Sequence, residues 1–247
     1  MPVAVIRGAQ RHHWSNEWLH SAQSFPVTGN FDLQANAFGV LMVHNEDTVD
    51  VGSGFDTHQH RDSEIVTWLL AGSIEHRDSS GHSGVIVPGL VQRMTAGRGI
   101  THSERNASTR AEGLAAHVVQ MWLPPDTDGL DPGYAERDFT ADLADGSLVP
   151  VVSGLRRHAD TSAVSIANRY VAMHVARPPS GRRIDLPSAQ FGHLFVARGE
   201  VEVDGVGVLT AGDVARFTDM AGEGTSAVTA VSDAEILYWE MHASFDL

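Results

Sequence analysis

Two short polar motifs in the first half of the chain carry the residue types of a metal site. They are His58-Gln59-His60 and His102-Ser103-Glu104. Side chains two apart on a β-strand point to the same face, so each motif can direct both polar groups into one interior. Three neutral imidazole nitrogens and one carboxylate oxygen suit Fe, Ni, Cu, Mn or Zn and leave positions open for water, dioxygen or substrate. Surface histidine pairs are the alternative in a chain with 14 histidines, but the shared spacing and matching turn residues favour a metal site.

The composition limits which partners and which cellular compartment we expect. The 247 residues suffice for one large domain or two compact ones. The net charge is −14 and all 17 basic residues are arginine, so nucleic-acid phosphates would repel this chain and no direct nucleic-acid partner is expected. No cysteine occurs, so nitrogen and oxygen must hold any metal. The N-terminus lacks a signal-peptide pattern and no apolar run could span a bilayer, so we expect a cytoplasmic protein with no membrane partner.

Short strands are the elements that would position these motifs. Runs rich in Val, Ile, Leu and aromatic residues are separated by Gly, Pro, Asp and Ser, and long helical periodicity is scarce. This pattern predicts an all-β sandwich or barrel. The clearest runs are 37–43, 65–70, 84–87, 117–123, 169–176, 192–196, 206–209 and 236–241.

The two halves of the chain repeat one pattern. Residues 70–75 correspond to 197–202, and residues 88–91 to 211–214. In each half an apolar strand meets a turn glycine, a hairpin follows, and a second glycine turn precedes another strand. We therefore predict two antiparallel β-barrels packed together, with the chain termini crossing between them. The segment 124–148 has two adjacent prolines and many Asp and Gly residues, which is typical of a connection, so the predicted division is 1–123, 124–148 and 149–247.

Longer motifs around the polar pairs resemble a known family. The spacing G-x5-H-x-H-x3-E that begins at Gly52 resembles the first motif of the cupin superfamily, and residues 88–106 resemble its second. More narrowly, EHRDS at 75–79 together with TAGRGITHSE at 95–104 is similar to the signature of the pirin family. The resemblance is strong over residues 10–125 and weakens in the second half.

The pirin resemblance implies a fold of two cupin barrels, a bicupin, in which only the N-terminal barrel holds metal. The ligands that it implies are His58, His60, His102 and Glu104. The second half departs from the motif. Matching the turn glycines of the two halves puts other residues at the four ligand positions, namely Asp185, Pro187, Thr225 and Ala227. We therefore expect the C-terminal barrel to be structural or to form a pocket wall.

The carboxylate has a second candidate in Glu64. In many cupins the glutamate four residues after the H-x-H pair is a ligand, and residues 60, 62 and 64 share a face of a regular strand. In pirins the carboxylate comes from the position of Glu104. We expect Glu104 to be the ligand and Glu64 to orient an imidazole or to bind a nearby arginine.

The resemblance also implies an activity. Bacterial pirin-like proteins with these ligands are linked to quercetin 2,3-dioxygenase activity, so the expected partners are a flavonol and dioxygen, with iron as the first expectation for the metal. Glu104, or a base on the metal, would take the flavonol 3-hydroxyl proton. The expected apolar cavity has candidate wall residues in Phe55, Trp68, Met94 and Met121. The alternatives are a non-enzymatic metal-dependent regulator with protein partners, and a different small-molecule cupin enzyme.

Overall fold

The computed structural model describes residues 2–27, 32–220 and 226–245. These residues form strands joined by turns, with short 3-10 helices at Gly8–Gln10, Gln34–Asn36 and Arg156–His158. The strands are β1 Val3–Ile6, β2 His12–Ser15, β3 Leu19–Gln23, β4 Val43–Val49, β5 Gly54–His60, β6 Glu64–Ala71, β7 Ile74–Asp78, β8 Ser83–Ile86, β9 Leu90–Thr95, β10 Ile100–Asn106, β11 Ala116–Leu123, β12 Gly133–Asp138, β13 Val149–Ser153, β14 Val164–Ser165, β15 Val171–Ala176, β16 Arg183–Asp185, β17 Phe191–Arg198, β18 Glu200–Val203, β19 Gly207–Thr210, β20 Val214–Thr218, β21 Ala227–Ala230 and β22 Glu235–Met241.

Four sheets arrange these strands in two similar halves, which confirms the predicted all-β class. In the N-terminal half the sheets have the orders β12-β9-β6-β11-β4-β3-β2 and β5-β10-β7-β8. In the C-terminal half they are β1-β20-β17-β22-β15-β13-β14 and β16-β21-β18-β19. Neighbouring strands are antiparallel, apart from the short β13–β14 pair.

The two predicted barrels take the form of open sandwiches. Each half is a sandwich of a seven-stranded and a four-stranded sheet, and in the described ranges no strand ladder joins the two. The edge strands β2 and β8 are four residues long, and three residues of β2 and two of β8 are exposed. Water can therefore satisfy their free backbone groups, so closure of the barrel is not required.

The turn glycines of the predicted repeat occupy equivalent places. Gly72 follows β6 and Gly199 follows β17, with φ of 70° and 71°. A Cβ atom at these positions would lie 2.6 Å and 2.2 Å from the carbonyl oxygens of Ala115 and Asp233. Positive φ and a close backbone approach both demand glycine, so the two halves share the same turn chemistry.

The largest apolar cluster lies between the two seven-stranded sheets, where the halves meet. On β6, Val66, Trp68 and Leu70 belong to this shared core, whereas Leu69 belongs to the interior of the N-terminal sandwich. A strand buried on both faces is apolar throughout. This explains the continuous apolar run at 65–70.

Two strands depart from the predicted division of the chain. β1 pairs with β20 of the C-terminal half, with Val3 opposite Phe217, which confirms the predicted crossing at the N-terminal end. β12 lies inside the segment predicted as a connection, yet it pairs with β9 of the N-terminal half. The boundaries at residues 123 and 148 otherwise stay a prediction.

Candidate metal centre

The two polar motifs lie side by side on the four-stranded sheet of the N-terminal half. His58 and His60 are on β5, and His102 and Glu104 are on β10, with His102 directly opposite His58. The register shifts between His102 and Glu104, because β5 carries one extra residue there. Asp56 and Thr57 are both exposed at this bulge, which keeps His58 facing inward.

Three imidazoles converge at this point. Ligand-capable atoms of His58, His60 and His102 all lie within 4.8 Å of one another. Their ring centroids are 4.4 to 4.9 Å apart. His102 is buried, and the two β5 histidines are half-buried. Both predicted histidine positions on β5 and the one on β10 are therefore brought together.

The free nitrogens of these rings suit a metal. The Nδ1 of His58 bonds to the carbonyl oxygen of Asp56 at 2.8 Å, which leaves its Nε2 lone pair free. The buried Nε2 atoms of His60 and His102 have no hydrogen-bond partner. Burial, with the neighbouring imidazoles, lowers the pKa of His60 to about 4 and that of His102 to about 3. Neutral imidazoles with unpaired nitrogens are the form that binds a divalent ion.

Glu104 lies beside His102 and is held by an amide. Its side chain is buried, and Gln120 Nε2 donates to its two oxygens at 3.1 and 2.9 Å. The Oε1 of Gln120 accepts from the indole N–H of Trp122 at 3.1 Å, which fixes the orientation of the amide. Glu104, His102 and His76 form a second group of ligand-capable atoms within 4.8 Å.

Glu64 lies outside both of these groups. It is fully buried, and one carboxylate oxygen accepts the backbone N–H of Ala167 at 3.2 Å. Arg93 lies 4.0 Å from the same oxygen, as in the predicted contact with an arginine. Burial raises the pKa of Glu64. The residue faces the C-terminal half rather than the imidazoles.

The matched positions in the C-terminal half hold no comparable cluster. Asp185 is exposed on β16, while its neighbours Ile184 and Leu186 fill the interior. Pro187 is half-buried, Ala227 is buried, and Thr225 lies outside the described residues. Among the described residues of this half, no three ligand-capable side chains have such atoms within 4.8 Å of one another.

A cavity of about 420 Å³ opens onto the candidate centre. His58, His60 and Glu104 line it from the four-stranded sheet. Its aromatic walls are Trp14, Trp18, Phe55 and Trp122, and we call it the aromatic cavity. Asn45, Asp47 and Gln120 add polar groups.

Of the four predicted wall residues, only Phe55 contributes to the aromatic cavity. Trp68 and Met121 point into the core between the halves, where Trp68 donates to Glu235 at 2.8 Å. Met94 packs in a separate cluster with Ile65. The prediction is wrong for these three. β6 is buried on both faces, so its sequence does not reveal which face Trp68 takes. Met121 alternates with Gln120 and Trp122 on β11 and therefore faces away from the aromatic cavity.

The tryptophans of the aromatic cavity were not predicted from the sequence. Trp122 is two residues from Gln120 on β11, so strand alternation could have placed both on one face. Trp14 and Trp18 flank the turn between β2 and β3, far from the histidines in sequence. No local signal links those two residues to the site.

Comparisons with known proteins agree with this geometry. The structure superposes on the bacterial pirin YhhW of Escherichia coli, solved in complex with nickel(II), with a TM-score of 0.86 and 28% identity over 98% of this chain and 100% of that one. The fold is therefore that of a cupin-like β-sandwich protein with two similar halves. The sequence model of the Pirin family matches residues 6–123.

Relatives extend the match over nearly the whole chain. A protein of Mycobacterium tuberculosis, provisionally named quercetin 2,3-dioxygenase, is 42% identical over 98% of this chain and 96% of its own length. The quercetin 2,3-dioxygenase of Escherichia coli is 31% identical over 97% of this chain and 98% of its own. This chain belongs to the pirin family. In its described ranges no helix is long and apolar enough to cross a membrane.

Proposed function

We propose that the protein is a metal-dependent dioxygenase that cleaves a flavonol such as quercetin. The observation that carries the proposal is that three imidazoles converge beside a cavity, which His58, His60 and Glu104 line together with four aromatic side chains. Its volume of about 420 Å³ falls in the range of small-molecule sites. The names of the relatives support the same substrate class.

His58, His60, His102 and Glu104 would hold the ion. We propose iron as the first candidate, with nickel, copper, manganese and zinc as alternatives, because nitrogen and oxygen ligands of this kind serve several ions. A bound transition metal would supply Lewis acidity and electron transfer to dioxygen. The C-terminal half would be structural.

The protein's own groups would bind the flavonol and take its proton. Trp14, Trp18 and Phe55 would pack on a planar ring system and exclude water. Glu104 would accept the proton of the 3-hydroxyl, while the Gln120 amide holds the carboxylate in place. The resulting flavonolate would then react with dioxygen, with cleavage of the central ring and loss of carbon monoxide.

Asp47 would supply an orienting group in the wall of the aromatic cavity. Its side chain is buried, and its Oδ1 has no partner. Burial raises its pKa to about 6. A hydroxyl of the substrate would satisfy this oxygen, which favours a hydroxylated ligand over a purely apolar one.

Oxygen uptake and bleaching of quercetin test the proposal. Wild-type protein loaded with Fe²⁺ or Ni²⁺ should show both. Glu104→Gln should lose about 100-fold or more of the rate even where metal is retained, because the base is gone. Glu64→Gln is the matched control, since it also replaces a buried glutamate of this half but lies outside the aromatic cavity. If metal-loaded wild type takes up no oxygen with any flavonol tested, the enzyme proposal fails and the regulatory alternative takes its place.

A further inference from the structure

A second row of buried polar groups lies behind His102, on the side away from β5. β7 pairs with β10 so that Asp78 is opposite His102 and His76 is opposite Glu104. The side chains of His76 and Asp78 are completely buried. Neither residue lines the aromatic cavity. These two fully buried titratable groups lie next to the candidate ligands but have no role in the flavonol chemistry proposed above.

These groups form a continuous chain of contacts. His76 Nε2 lies 3.3 Å from Asp78 Oδ2, and His76 Nδ1 lies 3.4 Å from His102 Nδ1. Asp78 is itself fixed, because its Oδ1 accepts the backbone N–H groups of Ser80 at 2.8 Å and His82 at 3.1 Å. The chain therefore runs from an anchored carboxylate through one imidazole to another.

The Asp78 carboxylate determines which ring nitrogens of His76 and His102 carry hydrogen. A carboxylate can only accept, so the ring hydrogen of neutral His76 must be on Nε2. Its Nδ1 is then an acceptor, and His102 must donate from its own Nδ1. The Nε2 of His102 is left with a free lone pair, and this is the atom that is buried without a partner.

We propose that His76 is a positioning residue that, held by Asp78, fixes the ring orientation and the Nδ1–H tautomer of His102 for metal binding. The inference rests on the metal centre of the proposed function and adds two residues to it. It also explains why His76 has a ligand-capable atom within 4.8 Å of such atoms of His102 and Glu104. Both ring nitrogens of His76 already have partners, so His76 supports a ligand rather than serving as one.

Two variants interrupt the chain at different points. His76→Phe removes the acceptor that faces His102, and Asp78→Asn removes the carboxylate that sets the hydrogen of His76. Each should weaken binding of Ni²⁺, measured by isothermal titration, by about 10- to 100-fold. The double variant should bind Ni²⁺ at most about 2-fold more weakly than the single variant with the lower affinity. Both substitutions interrupt the same chain of contacts, so their effects should not add.

His174→Phe is the matched control. His174 is also a buried histidine with a carboxylate partner, Glu240, at 3.0 Å, but it lies in the C-terminal half. Its loss should leave Ni²⁺ affinity unchanged, so a general effect of losing a buried histidine would be visible there. Thermal unfolding of each variant shows whether the fold is retained, and Asp78→Asn carries the test if His76→Phe does not fold.

A tautomer measurement separates positioning from bulk packing. In metal-free wild type, ¹⁵N NMR of the histidine rings should show His102 as a single Nδ1–H tautomer. His76→Phe should give a mixture of tautomers, and His76→Asn should keep the single form because its Oδ1 can accept in place of Nδ1. Unchanged Ni²⁺ affinity in His76→Phe and Asp78→Asn, or an unchanged His102 tautomer in His76→Phe, would overturn the inference.

These readouts also separate this inference from the proposed function. If the variants lose Ni²⁺ affinity and the tautomer while wild type oxidises no flavonol, the positioning role stands and only the enzyme proposal fails. If wild type binds no Ni²⁺, the metal centre fails, and the positioning role for metal binding fails with it.

Discussion

The interiors of the two sandwiches differ although their strands follow one plan. When the turn glycines are matched, His76, Gln92 and Glu104 of the N-terminal half correspond to Val203, Ala215 and Ala227 of the C-terminal half. All six side chains are buried. One backbone layout therefore accepts either a set of hydrogen-bonding groups or a set of small apolar ones.

The difference has an energetic side. In the N-terminal interior, buried polar atoms such as His60 Nε2, Asp47 Oδ1 and Gln92 Oε1 have no partner. Each such group costs free energy when it leaves water. The C-terminal interior instead buries a cluster that includes Leu194, Phe217 and Tyr238. We interpret this as a division of labour in which the apolar interior stabilises a chain whose other interior is shaped for a ligand.

The largest expected effect concerns metal content. His60→Ala and His102→Ala should reduce bound metal from near one ion per chain to about a tenth or less, because each removes a nitrogen of the cluster. Elemental analysis of purified protein measures this. His242→Ala, in the C-terminal half, should keep its metal. Full occupancy in both N-terminal variants would refute the contrast between the halves.

A core truncation tests the opposite side of the comparison. Phe217 is fully buried in the C-terminal interior. Phe217→Ala should lower the free energy of unfolding by about 3–5 kcal/mol through lost burial and a residual cavity. Denaturant unfolding measures the loss. Metal content per folded chain should not change, and a parallel loss of metal would show that the two interiors are not separable.

Acid should lower the folding stability because imidazoles are buried between the halves. Burial, with Arg11 nearby, lowers the pKa of His44 to about 3. Between this value and the unfolded pKa of about 6.5 the unfolded chain binds the extra proton, so stability falls as the pH falls, by up to about 1.4 kcal/mol per pH unit. His44→Leu should flatten this part of the stability curve.

The control for that experiment is His20→Leu, which replaces an exposed histidine of β3. Its stability curve should run parallel to that of the wild type. Denaturant titrations from pH 7 to pH 4 give both curves. If the His44→Leu curve also runs parallel to that of the wild type, burial of this ring is not a source of acid sensitivity.

The smallest effect separates two carboxylates within the N-terminal half. Glu64→Gln should reduce metal occupancy less than Glu104→Gln does, because Glu64 contacts Ala167 and Arg93 rather than the imidazoles. We expect a loss of affinity below the roughly 10- to 100-fold that follows when a residue orienting a ligand is replaced. The reverse order of the two variants would move the ligand carboxylate to Glu64.

The spacing of the histidines allowed their convergence to be predicted from the sequence. His58 and His60 are two apart on β5, so strand alternation alone predicted that both enter one interior. The turn glycines Gly72 and Gly199 predicted the repeat, because positive φ restricts the residue type. The metal role of these side chains stays a prediction.

Non-local features were not readable in the same way. Trp14 and Trp18 reach the aromatic cavity through pairing of β3 with β4, which no nearby sequence signal specifies. Trp68 lies on a strand buried on both faces, so its apolar character does not predict which face the side chain takes. The partner of β1 depends on long-range pairing, which a four-residue strand does not encode.

The crossing of β1 into the other half has a consequence for the order of assembly during synthesis. Arg7, just after β1, pairs with Asp213, 206 positions later. Residues 3–6 are made long before residues 214–217, with which they pair. The N-terminal sandwich, which β1 does not join, can therefore form while this segment is still unpaired, and the segment docks only after β20 has been made. Its docking would thus report that synthesis has passed β20.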